Sequence, residues 1–130
     1  MMKFLLDWYD ADRTILYMPI EGVWESEVAQ HVVDEYMRKV REVSHSVDLI
    51  AHTIDKEAMK LPFWVLGMGV RAIRSSPPNA GMIVIVPNTI RILALTDAGI
   101  RVLGTRYRGR LHTTATLNEA YQLLLDLRKS

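Results

Sequence analysis

Three charged residues follow a run that is typical of a buried strand. They are Asp55, Lys56 and Glu57. The stretch 47–54 before them is rich in apolar strand formers, and Pro62 after them suits the first turn of a helix. Open α/β sheets place their sites where a strand ends and leads into a helix. The triplet therefore predicts a loop that binds a partner or an anion at a helix N-terminus. The alternative is a solvated loop.

A second charged group lies in the glycine-containing loop 104–110. It consists of Arg106, Arg108 and Arg110. Guanidinium groups bind phosphate oxygens through paired hydrogen bonds, so the group predicts a phosphate-bearing ligand or a lipid head group. The alternative is an exposed loop that aids solubility. The net charge is only +1, so one basic cluster does not predict a nucleic-acid partner.

The predicted helix 62–74 has more apolar surface than one face of a sheet needs, and Trp64 and Met68 contribute to it. A docking surface for another chain, or one wall of an apolar ligand pocket, would use this surface. The alternative is a well-buried core helix. The run 67–72 matches the Gly-x-Gly-x-x-Ala dinucleotide fingerprint, but it lies inside the helix and lacks an acidic residue after the next strand. Close helix packing at small residues is the simpler account.

Other function classes have little support. The 130 residues include no cysteine, which excludes disulfides and cysteine-ligated zinc. The four histidines show no helical metal spacing, and there is no Gly-x-Ser-x-Gly elbow or Walker loop. We therefore expect no cofactor, no metal and no enzyme, although folding can still assemble a serine–histidine pair. No apolar run approaches the roughly 20 residues of a membrane helix. The N-terminus becomes acidic at Asp7, before a signal-peptide core forms, so a cytoplasmic location is expected.

The hydrophobic patterns predict one α/β domain over residues 1–130, in the order β-β-α-β-α-β-α-β-α. The predicted strands are 4–9, 14–20, 47–54, 82–86 and 111–115, and the predicted helices are 26–43, 62–74, 90–103 and 117–127. The first two strands form a hairpin because turn residues separate them. Strands then alternate with helices, which predicts a mixed, mainly parallel sheet with crossover helices packed on it.

With these elements placed, the chain resembles a STAS domain, the fold of anti-sigma-factor antagonists (SpoIIAA-like proteins) and of sulfate-transporter tails. The resemblance rests on the runs 20–22, 54–55, 82–86 and 116–120. The last of these opens with a capping box, Thr116-Leu117-Asn118-Glu119. Similar proteins include SpoIIAA-like members of unknown role, which are grouped in fold with the lipid-binding CRAL-TRIO domains, and this chain looks closer to those.

The resemblance also bears on the loop after the third strand. Antagonists of this family have an Asp-Ser-Ser-Gly-like turn there, and one of its serines is phosphorylated. Asp55 matches the aspartate, whereas Lys56 and Glu57 stand in place of the serines. The phospho-acceptor hydroxyl is therefore absent, and phosphorylation is not expected to be the switch.

Two function hypotheses lead, and an enzyme of unrecognised type is third. The first is a non-catalytic regulatory or protein-interaction module that binds a protein partner, or a second copy of itself, through the loop 55–57 and the helix 62–74. The second is a carrier for a small apolar or lipid-like anionic ligand, held between the second and third predicted helices. Neither hypothesis includes a nucleic acid or a membrane span.

Overall fold

A computed structural model of the chain describes residues 6–20, 26–54, 77–87, 98 and 110–129, with the backbone alone for 26–29. Its elements are β1 (Asp7–Trp8), β2 (Ile15–Ile20), α1 (Ser26–Arg41), β3 (Val47–Thr53), β4 (Ala80–Val86), β5 (Leu111–Thr113) and α2 (Leu117–Arg128). Each corresponds to a predicted element. The predicted helices 62–74 and 90–103 lie outside the described residues, except for Ala98, which is helical.

The five strands form one sheet in the order β1-β2-β3-β4-β5. β1 pairs with β2 in antiparallel fashion, and all other pairs are parallel. This confirms the α/β class, the N-terminal hairpin and the mixed, mainly parallel sheet. Because spatial order equals chain order, each parallel pair is joined by a connection that crosses from one end of the sheet to the other.

Pro19 lies within β2, where it is paired with His52 of β3. The carbonyl groups of Thr14 and Ile20 accept hydrogen bonds from β3, at 2.8 and 3.0 Å. Because backbone groups alternate in direction along a strand, Pro19 turns its nitrogen away from β3. Its missing N–H therefore costs no bond to β3.

The sheet is covered on both faces, and β3 contributes to each core. Leu49 packs with α1 on one face, and Ile50 packs with α2 on the other. From α1 the buried side chains are Val32, Val33, Tyr36 and Val40, and from α2 they are Ala120 and Leu124. Full burial of each large aliphatic side chain contributes about 1.5–3 kcal/mol to folding.

The β1–β2 hairpin is held by one carboxylate. Asp10 accepts hydrogen bonds from the backbone amides of Thr14 and Ile15, at 2.8 and 3.0 Å, and from the Thr14 hydroxyl. Desolvation raises the pKa of the Asp10 carboxyl, but these hydrogen bonds outweigh it and the pKa is lowered overall. Arg13 in the same turn has a φ of 56°, which is uncommon for a residue with a side chain. His45 Nε2 lies 2.7 Å from the Arg13 carbonyl oxygen.

Asn79 closes the C-terminal end of α1 from a distant turn. Its Nδ2 donates to the carbonyl oxygens of Val40, Val43 and His45, at 2.8, 3.0 and 3.0 Å. The last carbonyl groups of a helix have no partner inside the helix, so a side-chain amide can satisfy them. The turn before β4 therefore fixes the end of α1 against the start of β3.

At the N-terminus of α2, one of the two hydrogen bonds of the predicted capping box is present. The Thr116 hydroxyl accepts a hydrogen bond from the Glu119 amide at 3.1 Å. The reciprocal bond to the Glu119 carboxylate is absent from the described part of the chain. Glu119 still lies in the first turn, where a negative charge is favourable.

Candidate binding surface at the carboxyl edge of the sheet

The residues predicted to bind a partner or ligand lie mostly outside the described part of the chain. Those outside it are Asp55, Lys56, Glu57, Trp64, Met68, Arg106 and Arg108. Arg110 is described, and it is half-buried at the start of β5. Its guanidinium donates to the carbonyl oxygens of Ala80 and Gly81, at 3.3 to 3.4 Å. Arg110 therefore contacts the start of β4, and this role in the fold was not predicted from the sequence.

The carboxyl edge of the parallel sheet leads directly into the predicted loop. The Thr53 hydroxyl donates to the Val86 carbonyl oxygen at 2.9 Å, which ties the end of β3 to that of β4. One residue later, the Ile54 amide donates to the Ile20 carbonyl oxygen at 3.0 Å. The Ile54 side chain is nevertheless 41% exposed. The predicted loop that begins at Asp55 therefore follows a strand end that is held by hydrogen bonds and has an exposed apolar side chain.

A tyrosine and a histidine meet on the α2 face of this edge. The Tyr17 hydroxyl lies 2.7 Å from His52 Nδ1, and the two rings are 5.8 Å apart. Burial lowers the pKa of His52 below its ordinary value, because the charged ring loses hydration. A neutral imidazole can accept the Tyr17 proton at Nδ1 and keep its own proton on Nε2. The pair therefore presents a neutral, hydrogen-bonded surface.

Two more tyrosines extend this surface. The Tyr9 ring lies 5.8 Å from the Tyr17 ring and 5.4 Å from the Tyr121 ring, tilted in both contacts. Tyr9 is also 39% exposed. We call Tyr9, Tyr17, His52 and Tyr121 the aromatic strip. Tyrosines combine apolar area with a polar tip, which suits a binding surface that is apolar at one end and wet at the other.

The amino edge of the sheet contains a buried charge pair that sequence reasoning missed. Asp48 is 6% exposed; its Oδ1 accepts from the Met82 amide at 2.8 Å, and its Oδ2 accepts from Arg128 Nη2 at 3.0 Å. The pairing of β3 with β4 shifts register at this point, and Asp48 bonds the backbone there. An aspartate within the apolar run 47–51 was the available signal, since buried carboxylates are normally paired.

Tyr36 carries a buried polar group of a different kind. Its hydroxyl has no hydrogen-bond partner within the described residues. Burial raises the pKa of Tyr36 to about 12, and a nearby positive charge on Arg110 opposes the shift only in part. The phenol therefore stays protonated at physiological pH, and the ring packs in the core beside α1.

Metal-binding clusters and membrane-spanning helices are both absent from the part of the chain that the structure describes. No three histidine, aspartate or glutamate side chains there group closely enough to hold a metal ion. Among the helices of that part, none has both the length and the apolar character needed to cross a bilayer.

Comparison with known proteins adds no relative. No family model, no curated protein and no solved structure matches this chain. The function therefore has to be argued from the chain itself.

Proposed function

We propose that this chain is a non-catalytic protein-interaction module of the STAS type, which recognises a protein partner at the carboxyl edge of its parallel sheet. The observation that carries the proposal is the exposed side chain of Ile54, on a backbone that is fixed to Ile20. A single exposed apolar residue is common on monomers. Its position is the reason for the proposal, because open α/β sheets bind their ligands outside the carboxyl ends of the strands.

The aromatic strip supports the same surface. Ile54 and His52 are two residues apart, so extended backbone directs both side chains to one face of β3. Tyr17 contacts His52, and Tyr9 contacts Tyr17. The recognition surface therefore runs from Ile54 along the strip to the exposed ring of Tyr9. Tyrosine is enriched at protein interfaces because its ring buries a large area at a low cost in conformational entropy.

The chemistry of the strip favours binding over catalysis. His52 Nδ1 is engaged by a tyrosine hydroxyl, not by a serine, threonine or cysteine that it would activate. A hydrogen-bonded tyrosine–histidine pair is rigid, and a rigid surface loses less entropy on binding.

The loop 55–57 adds charge to this surface and provides no phosphate acceptor. Lys56 and Glu57 occupy the positions where the resembling antagonists have serines. Glu57 has a permanent negative charge near the point where those antagonists gain a phosphate. A phosphate there disrupts an apolar interface by its negative charge, and the carboxylate of Glu57 is expected to act in the same direction. The partner of this chain is therefore expected to differ from an anti-sigma kinase.

An affinity capture experiment tests the proposal. The wild-type chain, Ile54→Arg and Ser44→Arg are immobilised and exposed to an extract of the source cells, after circular dichroism has confirmed that all three fold. Ser44 is an exposed residue at the opposite edge of the sheet, so it is the matched control. We expect one protein to be retained in stoichiometric amount by the wild type and by Ser44→Arg, and to be lost with Ile54→Arg.

The charge of the loop is tested by Glu57→Ser. This substitution removes the carboxylate and introduces a hydroxyl, so we expect it to change the set of captured proteins. If Ile54→Arg and Glu57→Ser capture the same proteins as the wild type, in equal amounts, the carboxyl edge is not the recognition surface and the proposal is wrong.

A further inference from the structure

A pocket of about 380 Å³ opens at the amino edge of the sheet, between the first residues of β3 and β4 and the last two turns of α2. This volume falls in the range of small-molecule sites, which is roughly 300–1,000 Å³. The pocket lies at the opposite edge of the sheet from Ile54. The Tyr9 end of the aromatic strip pairs with Ile15, next to the pocket-lining Thr14, but Ile54 does not line the pocket. The ligand test below therefore does not depend on the capture experiments with Ile54→Arg and Glu57→Ser.

The walls of the pocket separate into an apolar side and a polar side. Met82, Leu124 and Leu127 form the apolar side, and Leu124 is fully buried. Ser46 and Arg128 are among the polar residues that line the rest. A few polar groups beside apolar walls are the usual composition of a site that orients a small organic molecule.

The polar side carries both charges of the Asp48–Arg128 pair, and they cancel. Both Asp48 oxygens are engaged, Oδ1 by the Met82 amide and Oδ2 by Arg128. The carboxylate therefore has little capacity left to accept a hydrogen bond from a ligand. With no net charge on the pair, hydrogen bonding and not charge attraction selects the head group of a ligand.

The groups that remain available are N–H donors of Arg128, the Ser46 hydroxyl, which can donate or accept, and the His45 ring. Arg128 uses Nη2 for Asp48 and for the Thr14 carbonyl oxygen, and it uses Nε for Asp48. Nη1 has no partner within the described residues, so its two N–H groups can donate to a ligand. The Ser46 hydroxyl likewise makes no hydrogen bond in the part of the chain that the structure describes. A guanidinium nitrogen and a hydroxyl together suit an acceptor oxygen.

We propose that this pocket binds a small apolar molecule that carries one hydrogen-bond-accepting oxygen head, a carboxylate or a ketone carbonyl. The head accepts from Arg128 Nη1 and Ser46, and the apolar body packs on Met82 and Leu127, with Leu124 buried behind them. A head group with donors alone, such as an ammonium, gains nothing from the Arg128 N–H groups or from the Asp48 oxygens, which are already engaged. Among the described side chains that line the pocket, its remaining acceptors are the Ser46 hydroxyl and the His45 ring, so it binds more weakly.

Three six- or seven-carbon probes of matched body size test this: hexanoate, 2-heptanone and hexylammonium. The full chain is titrated with each, and the Met82 methyl resonance is followed by NMR. We expect saturable shifts with hexanoate, with 2-heptanone or with both, and much weaker shifts with hexylammonium at equal concentration. A response to hexanoate alone identifies a carboxylate ligand, and a response that includes the ketone identifies a carbonyl head as sufficient.

Ser46→Phe and Ser44→Phe complete the test. Both positions are exposed in the loop between α1 and β3, so both variants are expected to fold, but only Ser46 lines the pocket. Ser46→Phe should fill the pocket and abolish the shifts, and Ser44→Phe should leave them unchanged. The proposal is overturned if neither oxygen probe shifts the Met82 methyl, if hexylammonium acts equally, or if Ser46→Phe still responds.

Discussion

Arg128, in the last turn of α2, donates to the Asp48 carboxylate of β3 at 3.0 Å, although the two residues are 80 positions apart in the sequence. The same guanidinium donates to the Thr14 carbonyl oxygen at 3.1 Å, just before β2. One side chain therefore joins the final helix to two neighbouring strands at the amino edge of the sheet.

Removing this arginine should destabilise the protein, because a buried carboxylate loses its counter-ion. For Arg128→Met we expect a loss of about 2 kcal/mol, less than for a fully buried pair, since the Arg128 side chain is 36% exposed and Asp48 keeps the Met82 amide. Urea unfolding measures the loss. Lys129→Met is the surface control. Adding Asp48→Asn to Arg128→Met should recover part of the stability, and a strictly additive double variant would contradict this account.

Gly81→Ala should also be destabilising, for a steric reason. A Cβ atom at this position would lie 2.2 Å from Asp48 Oδ1 and 3.0 Å from the Ser46 hydroxyl oxygen. Asp48 cannot move away without breaking its bonds to Met82 and Arg128, so we expect a loss of about 1–3 kcal/mol. The loss should shrink in an Asp48→Ala background, where the obstructing oxygen is gone. An equal loss in both backgrounds would show that the clash is not the cause.

Asn79 is expected to cap the C-terminal end of α1 from a distant part of the chain. A carboxylate should not be able to replace its amide. Asn79→Ala removes two N–H groups that the carbonyl oxygens of Val40, Val43 and His45 share, with an expected cost of about 1–2 kcal/mol. Asn79→Asp should cost more at neutral pH, because it places a negative charge beside carbonyl oxygens at the negative end of the helix dipole. Its folded-state pKa would be raised, so the variant should regain stability as the pH falls. If the difference in unfolding free energy between the Asp and Ala variants does not change across acidic pH, the capping role of Asn79 is wrong.

The positive φ of Arg13 gives a prediction that can be checked by ranking the stability of the wild type and two variants. Glycine relieves the left-handed strain but adds entropy to the unfolded chain, so Arg13→Gly should be unchanged or more stable by about 0.5 kcal/mol. Arg13→Val should lose about 1–2 kcal/mol, because β-branched side chains strongly disfavour this conformation. Thermal unfolding of the three proteins gives the order. Equal stability of the valine and glycine variants would mean that the turn relaxes to another conformation.

The lowered pKa of His52 makes stability depend on pH near neutrality. Burial favours the neutral ring in the folded state, so the unfolded chain binds more protons once the pH falls below the ordinary value of 6.5. Stability contributed by the neutral ring is therefore complete above that value and is lost as the pH falls towards the folded-state pKa. His52→Gln should reduce this dependence of stability on pH, and His31→Gln, at an exposed position on α1, should not.

Asp10 acts in a separate pH range, because its lowered pKa costs stability only as the pH falls below about 3.8.

The sequence determined the elements of this fold. The apolar residues of 26–43 recur at helical spacing, and the structure has α1 at Ser26–Arg41. The run 82–86 is apolar at every position, and β4 is buried on both faces. Such patterns can be read because each depends only on neighbouring residues and on the period of a helix or strand. Parallel pairing followed from the alternation of strands and helices along the chain.

The contacts that position the surfaces were decided only by the tertiary structure. Tyr17 and His52 meet because the β2–β3 register places them on one face of adjacent strands, and a shift of one residue would separate them. Asp48 meets Arg128, and Asn79 meets the end of α1, across large separations in the sequence. Sequence patterns gave no sign of these partners, because any polar residue can satisfy a buried group and packing alone decides which one reaches it.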